Sequence, residues 1–145
     1  MAPSDRLVRR IKADEGFKAK AYRDEDGWSI GYGHHTKEMP RSIVTREEAH
    51  SILIEDLLVA REDCVSIYFE FSEIDEPRQE ALINMSFNMG GPTLRKFKKH
   101  IQAVDYRDWE AAAEEAQDSR WYDQVGGRAK RIVRTLRTGE PNDVV

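Results

Sequence analysis

The chain has 145 residues, 39% of them hydrophobic and 34% charged, with three Trp, five Tyr and five Phe. That is enough apolar and aromatic material for a packed core, which excludes a disordered chain, and no apolar run approaches the roughly 18 residues of a membrane span. The single Cys64 excludes an internal disulfide, and the net charge of −4 hides two opposite regions: 12 Lys/Arg against 18 Asp/Glu over residues 1–92, then 11 against 7 over 93–137.

Ser4-Asp5 predicts the start of a helix over 4–14, with Leu7, Val8 and Ile11 on its apolar side and Gly16 ending it. From Lys18 to Tyr32 small or apolar residues alternate with polar ones, which predicts short strands with a turn centred on Asp26-Gly27. Thr45-Arg46-Glu47-Glu48 has the form of a capping box for a long one-sided helix carrying Ala49, Ile52, Leu53, Leu57 and Ala60. Pro77 opens a helix to Met89 whose apolar residues cover more than one face, so it is the expected central buried helix, stopped by Gly90-Gly91-Pro92. Further helices are expected over about 93–104 on Leu94, Phe97 and Ile101, over about 107–117, and over about 128–137.

Glu15 falls where the first helix stops, Asp24 in an acidic turn, and Ser29 at the start of the apolar-and-glycine alternation. A hairpin can bring such a set together. Hydrolysis of a glycosidic bond needs one carboxyl kept protonated as general acid, one ionised, and a group that holds a water. Trp28 and Tyr32 have flat apolar faces suited to lining a sugar cleft, although Trp28 serves hairpin packing equally well. His34-His35 lacks a third ligand at suitable spacing, so no metal site is expected.

Six segments then resemble, in order, the phage T4-type lysozymes, the endolysin muramidases. They are Asp-Glu-Gly-Phe (14–17), Ala-Tyr-Arg-Asp (21–24), Ile-Gly-Tyr-Gly-His (30–34), Ala-Leu-Ile-Asn-Met-Ser-Phe-Asn-Met-Gly (81–90), Ser-Arg-Trp-Tyr-Asp-Gln (119–124) and the basic run 128–139. The resemblance implies an α+β lysozyme fold in one domain over 1–145. In it a β-containing N-terminal lobe (about 13–45) joins by a connecting helix (about 46–66) to a helical C-terminal lobe (about 75–139), on which the first helix packs. It implies Glu15 as general acid, Asp24 as base or stabiliser of an attacking water, and inversion at the anomeric carbon. Ser29 stands in for the family's Thr on a hairpin one residue shorter. It also implies sugar binding by Asn88, with helix packing as the other use of that side chain, and structural support from Arg128 beside Glu15 and from a His34–Asp56 pair.

The implied activity is cleavage of the β-1,4 bond between N-acetylmuramic acid and N-acetylglucosamine in peptidoglycan, with no cofactor and no metal. An endolysin acts from the host cytoplasm, without a signal peptide, through lesions made by a holin. A monomer is expected, without membrane insertion. The basic last third is interleaved with Ile132, Val133 and Leu136, which are needed for packing, so no nucleic-acid partner is expected. The rival reading is a peptidoglycan-binding protein whose turnover is impaired by the shortened Ser29 hairpin.

Overall fold

The computed structural model describes residues 2–144. In chain order the elements are α1 (Asp5–Glu15), β1 (Lys18–Asp24), β2 (Gly27–Gly31), β3 (His34–Thr36), α2 (Arg46–Ile67), a 3₁₀ turn (Phe71–Glu73), α3 (Glu76–Met89), α4 (Gly91–Leu94), α5 (Lys98–Asp105), α6 (Trp109–Gln117), α7 (Arg120–Val125) and α8 (Gly127–Thr138). Mainly helical with one small antiparallel sheet in the order β1-β2-β3, this is the expected α+β lysozyme fold. The chain divides into two compact units, one running to Leu58 and the other over Val59–Asp143.

Among the described residues, side-chain caps start four of the helices, and one helix end is met from a distant helix. The Ser4 hydroxyl accepts from the Leu7 N–H (3.1 Å) at the start of α1. Thr45 and Glu48 form the expected reciprocal capping box at 3.1 and 3.0 Å ahead of α2. Asp108 and Ser119 cap α6 and α7 in the same way. The last carbonyls of α8 are met from α3, where Arg78 donates to Leu136 O (2.8 Å) and Arg137 O (3.2 Å).

In the first unit the buried side chains include Ile30 from β2, Tyr32 from the turn that follows it, and Ala49, Leu53 and Leu57 from α2. In the second, α3 is buried over six consecutive residues from Ala81 to Ser86, the central helix that its many-sided apolar pattern predicts. Against it pack α8, through Ile132, Val133 and Leu136, and the small alanine face of α6 packs with α5 and α8.

Three expectations need correction. The hairpin turn sits on Glu25-Asp26, because Asp24 pairs with Gly27. Neither turn residue has a positive φ, so the turn is not of the primed types that favour Asp-Gly at its centre. The helix expected over 93–104 is two, α4 and α5, parted by i→i+3 bonds from Lys96 N to Thr93 O (3.0 Å) and Phe97 N to Leu94 O (2.9 Å). The break turns His100, Ala103 and Val104 inward in place of Phe97 and Ile101. Finally, residues 120–125, assigned no helix from periodicity, form α7.

His100 is buried because both of its nitrogens are satisfied. Its Nδ1–H donates to Ala112 O (3.0 Å), which leaves Nε2 to accept the Tyr68 hydroxyl (2.9 Å). Burial holds the imidazole below its usual pKa and the Tyr68 phenol well above its own, so both are neutral. Tyr68→Phe leaves Nε2 buried without a donor and should lower the unfolding free energy by about 1–3 kcal/mol in a denaturant titration.

Candidate active site

The first unit brings Asp24, Ser29 and His35 onto one face of its sheet. Ser29 lies opposite Tyr22 on β1 and opposite His35 on β3. Asp24, two residues beyond Tyr22, is therefore the diagonal same-face neighbour of Ser29. The side chains complete what the register begins. Ser29 Oγ–H donates to Asp24 Oδ2 at 2.5 Å, and His35 Nδ1 is 3.0 Å from the same oxygen. The Asp26 N–H reaches Asp24 Oδ1 at 3.3 Å, an Asx-type bond that shapes the turn.

Three donors on one carboxylate favour its ion. The Ser29 hydroxyl does most to hold Asp24 below the usual carboxylate pKa; partial desolvation opposes it, and the His35 imidazole and Asp26 N–H add to the lowering. Ser29 itself is buried, which limits the freedom of a side chain with few constraints of its own. Its hydroxyl is aimed at Asp24.

Glu15 is the last residue of α1, followed by Gly16 at φ 70°. Its carboxyl lies against Gly33, in the turn between β2 and β3. A Cβ on Gly33 would strike Glu15 Oε1 and lie 2.6 Å from Cδ, and the φ of +75° there is itself adverse for any other residue. At the opposite end of the sheet, a Cβ on Gly27 would meet Thr36 O on β3, so Gly27 serves close strand approach and not a left-handed turn.

His34 and Asp56 form the expected pair at 2.8 Å, linking the start of β3 to α2. Tyr32, expected to offer a face to sugar, is instead only 7% exposed. Its ring lies 5.5 Å from that of Phe17, and Lys12 Nζ sits 5.1 Å from its centroid, so packing uses the faces that a sugar would need. Trp28 is half-buried on β2 with the Arg23 guanidinium 5.5 Å over its ring.

In the second unit the Asn88 carbonyl oxygen accepts from Trp121 Nε1 at 2.7 Å, which spends that oxygen on packing and leaves the amide N–H₂ for other use. Arg128 donates from Nε to Asn84 Oδ1 at 2.9 Å and lies 5.9 Å from the Phe87 ring.

His35 is the residue that sequence reasoning missed, having been considered only as half of a histidine pair. The available signal was its parity with Ser29 across a third strand, and β3 itself was not foreseen. With Asp24 and Asp26 it forms a group whose ligand atoms all lie within 4.8 Å of one another, the one set among the described residues able to share a divalent cation. His35 Nε2 also approaches Asp26 Oδ1 at 3.4 Å, so both nitrogens already face carboxylates.

A short helix end carrying one carboxyl, beside a three-stranded sheet carrying a second carboxylate and a hydroxyl, has the composition of a glycosidase site. The family model described as phage lysozyme matches residues 12–139, and the chain belongs to that family. Among its relatives, the pre-baseplate central spike protein Gp5 of Enterobacteria phage T4 is 31% identical over 94% of this chain but 28% of its own length. Probable T4-type lysozyme 1 of Dictyostelium discoideum is 28% identical, covering 91% of this chain and 94% of its own. The endolysin of Salmonella phage P22 is 29% identical over 79% and 80%. No helix among the described residues is long and apolar enough to cross a membrane.

Two variants probe the site directly. Ser29→Ala removes the largest influence on Asp24, so its titration, followed by carbon-detected NMR, should move up toward the ordinary value of about 3.9. The sign follows from the direction of the shift: the stability this group contributes is present above its unfolded value and is lost as pH falls through the folded one. Gly33→Ala should cost about 1–2 kcal/mol for the left-handed backbone alone. It should also displace Glu15, so any fall in peptidoglycan hydrolysis beyond what the melting temperature explains would report on Glu15.

Proposed function

We propose that this chain is a lysozyme that cleaves the β-1,4 bond between N-acetylmuramic acid and N-acetylglucosamine, with Glu15 as general acid and Asp24 as the partner of the attacking water. The broader statement, a glycoside hydrolase acting on peptidoglycan, rests on membership of the phage lysozyme family. The finer one is supported above all by the Ser29–Asp24 hydrogen bond, which keeps the second carboxyl ionised beside a fixed hydroxyl.

In the reaction Glu15 gives its proton to the departing glycosidic oxygen as the C1–O bond breaks. A water then bonds to C1 from the opposite face of the ring and passes its proton to Asp24. Ser29 has spent its own proton on Asp24, so its oxygen remains an acceptor that orients one water hydrogen. Asp24 adjoins Ser29 on β2 and Glu15 adjoins Gly33 in the turn that follows, four residues further along the chain. Inverting enzymes need a carboxyl separation of about 6.5–9.5 Å to admit a water, and inversion is the outcome we assign. His34 and Asp56 hold the strand that carries His35. Used as an endolysin, the enzyme acts as a monomer and reaches the wall from the host cytoplasm through holin lesions.

Release of reducing sugar from purified peptidoglycan tests this reading. Glu15→Gln, shown to melt like the parent, should lose about 10²–10⁴-fold in rate, the usual contribution of general acid–base catalysis. Equal rates for the two proteins would remove Glu15 from the mechanism. Binding to walls without turnover by the parent would leave the impaired wall-binding protein as the better account.

A further inference from the structure

The second unit carries an open groove whose walls are built and strained in a way that packing does not require. Its volume is about 580 Å³, within the range of ligand sites, and it is lined by Phe69, Lys98, Ile101, Gln102, Asp105 and Tyr106. Phe69 follows α2 and is 62% exposed; Tyr106 follows α5 and is 78% exposed. Leaving two aromatic rings in water forgoes the burial that stabilises other rings in this unit.

Each ring is next to a backbone outlier. Among the described residues only two non-glycines have a positive φ, Glu70 at 45° and Arg107 at 60°, and they directly follow Phe69 and Tyr106. Arg107 Nη2 donates to Phe69 O and Glu70 O at 3.0 Å each, and its Nη1 to Val104 O at 2.9 Å. The Phe69 N–H in turn donates to Asp105 Oδ1 at 2.9 Å. These bonds fix the two outliers against each other, which holds both rings at the groove in advance of any ligand. Strain kept in place by its surroundings is typical of binding sites.

Charge points the same way. Arg95, Lys96, Lys98 and Lys99 are all exposed. Arg95 reaches Asp63 at 3.7 Å, whereas Lys96, Lys98 and Lys99 make no ion pair among the described residues. The acids at hand are Asp105, one oxygen of which is engaged, and Glu115 on the far side of the lysines.

We propose that this groove is a second binding site for the glycan strand of peptidoglycan, formed entirely by residues of the second unit and distinct in composition from Glu15, Asp24 and Ser29. This rests on the peptidoglycan reading above. The C–H faces of a pyranose stack on Phe69 and Tyr106, Gln102 hydrogen-bonds a hydroxyl or acetamido group, and Lys98 pairs with a carboxylate of the peptide stem. A nucleic acid fits less well: of those cations only Lys98 lines the groove, and Asp105 lines it too, whereas a phosphate backbone asks for a track of cations along the site. A second glycan contact would hold the enzyme on an insoluble wall between cuts.

The test is co-sedimentation of the full chain with purified insoluble sacculi, alongside NMR titration with soluble disaccharide-peptide fragments. Each ring should contribute about three- to tenfold in affinity, so Phe69→Ser with Tyr106→Ser should weaken sacculus binding at least about tenfold. Lys98→Gln should weaken it less. Both variants should keep the parent's melting temperature and its rate on short soluble fragments, while KM for intact sacculi rises. Fragment-induced shifts at residues 98–106 in the parent, absent in the double variant, would support the site. Equal sacculus binding by parent and double variant would overturn it. So would displacement of sacculi by single-stranded DNA with a steep salt dependence. Loss of hydrolysis in the parent would strike the function proposed above, but the binding comparison would still judge the groove.

Discussion

The hydrogen bond from Ser29 to Asp24 ties together what the first unit's sheet is for. It crosses from β2 to the end of β1, and it works because antiparallel pairing places diagonal neighbours on one face. The turn has two residues, so Asp24 remains in the ladder opposite Gly27, where its carboxylate accepts a backbone N–H from the turn and an imidazole from β3. A carboxylate with donors on both oxygens is held ionised and held still. Gly27 permits the close approach of β3 that brings His35, and Gly33 permits the close approach of Glu15. Two glycines and a two-residue turn thus decide where two acids and a hydroxyl stand.

The second unit solves a different problem, the burial of a histidine and a tyrosine in a helical core. His100 and Tyr68 satisfy each other, and a carbonyl of α6 takes the remaining imidazole proton. That arrangement explains the break between α4 and α5: a continuous helix would have turned Phe97 and Ile101 inward. The C-terminal end of α5 delivers Tyr106 to the surface, where Arg107 and Glu70 hold strained backbone in place.

How much of this was legible depends on the range of the interaction. The capping box at Thr45–Glu48, the serine cap of α1 and the glycine stops are chemistry within four residues, and they were readable as such. The hairpin was readable too. Its turn was misplaced by one residue, yet because moving a turn by one shifts the pairing by two, every side chain kept its face. Glu15, Asp24 and Ser29 were found by their resemblance to a family pattern, and the His34–Asp56 pair in the same way. Tyr32 was misread because an aromatic between two glycines looks exposed in a string of letters, whereas here Phe17 and Lys12 cover it.

By itself the sequence determined the helices with strong caps, the existence of a hairpin and the α+β class, and it singled out the two carboxyls of the proposed site, because each depends on neighbours in the chain or on a motif kept in order. Only the tertiary structure decided that His35 joins Asp24, that His100 is a core residue, and that Phe69 meets Tyr106 across a groove. Those contacts join residues 11, 32 and 37 positions apart, where the partner is chosen by strand register and helix packing and no local spacing records the choice.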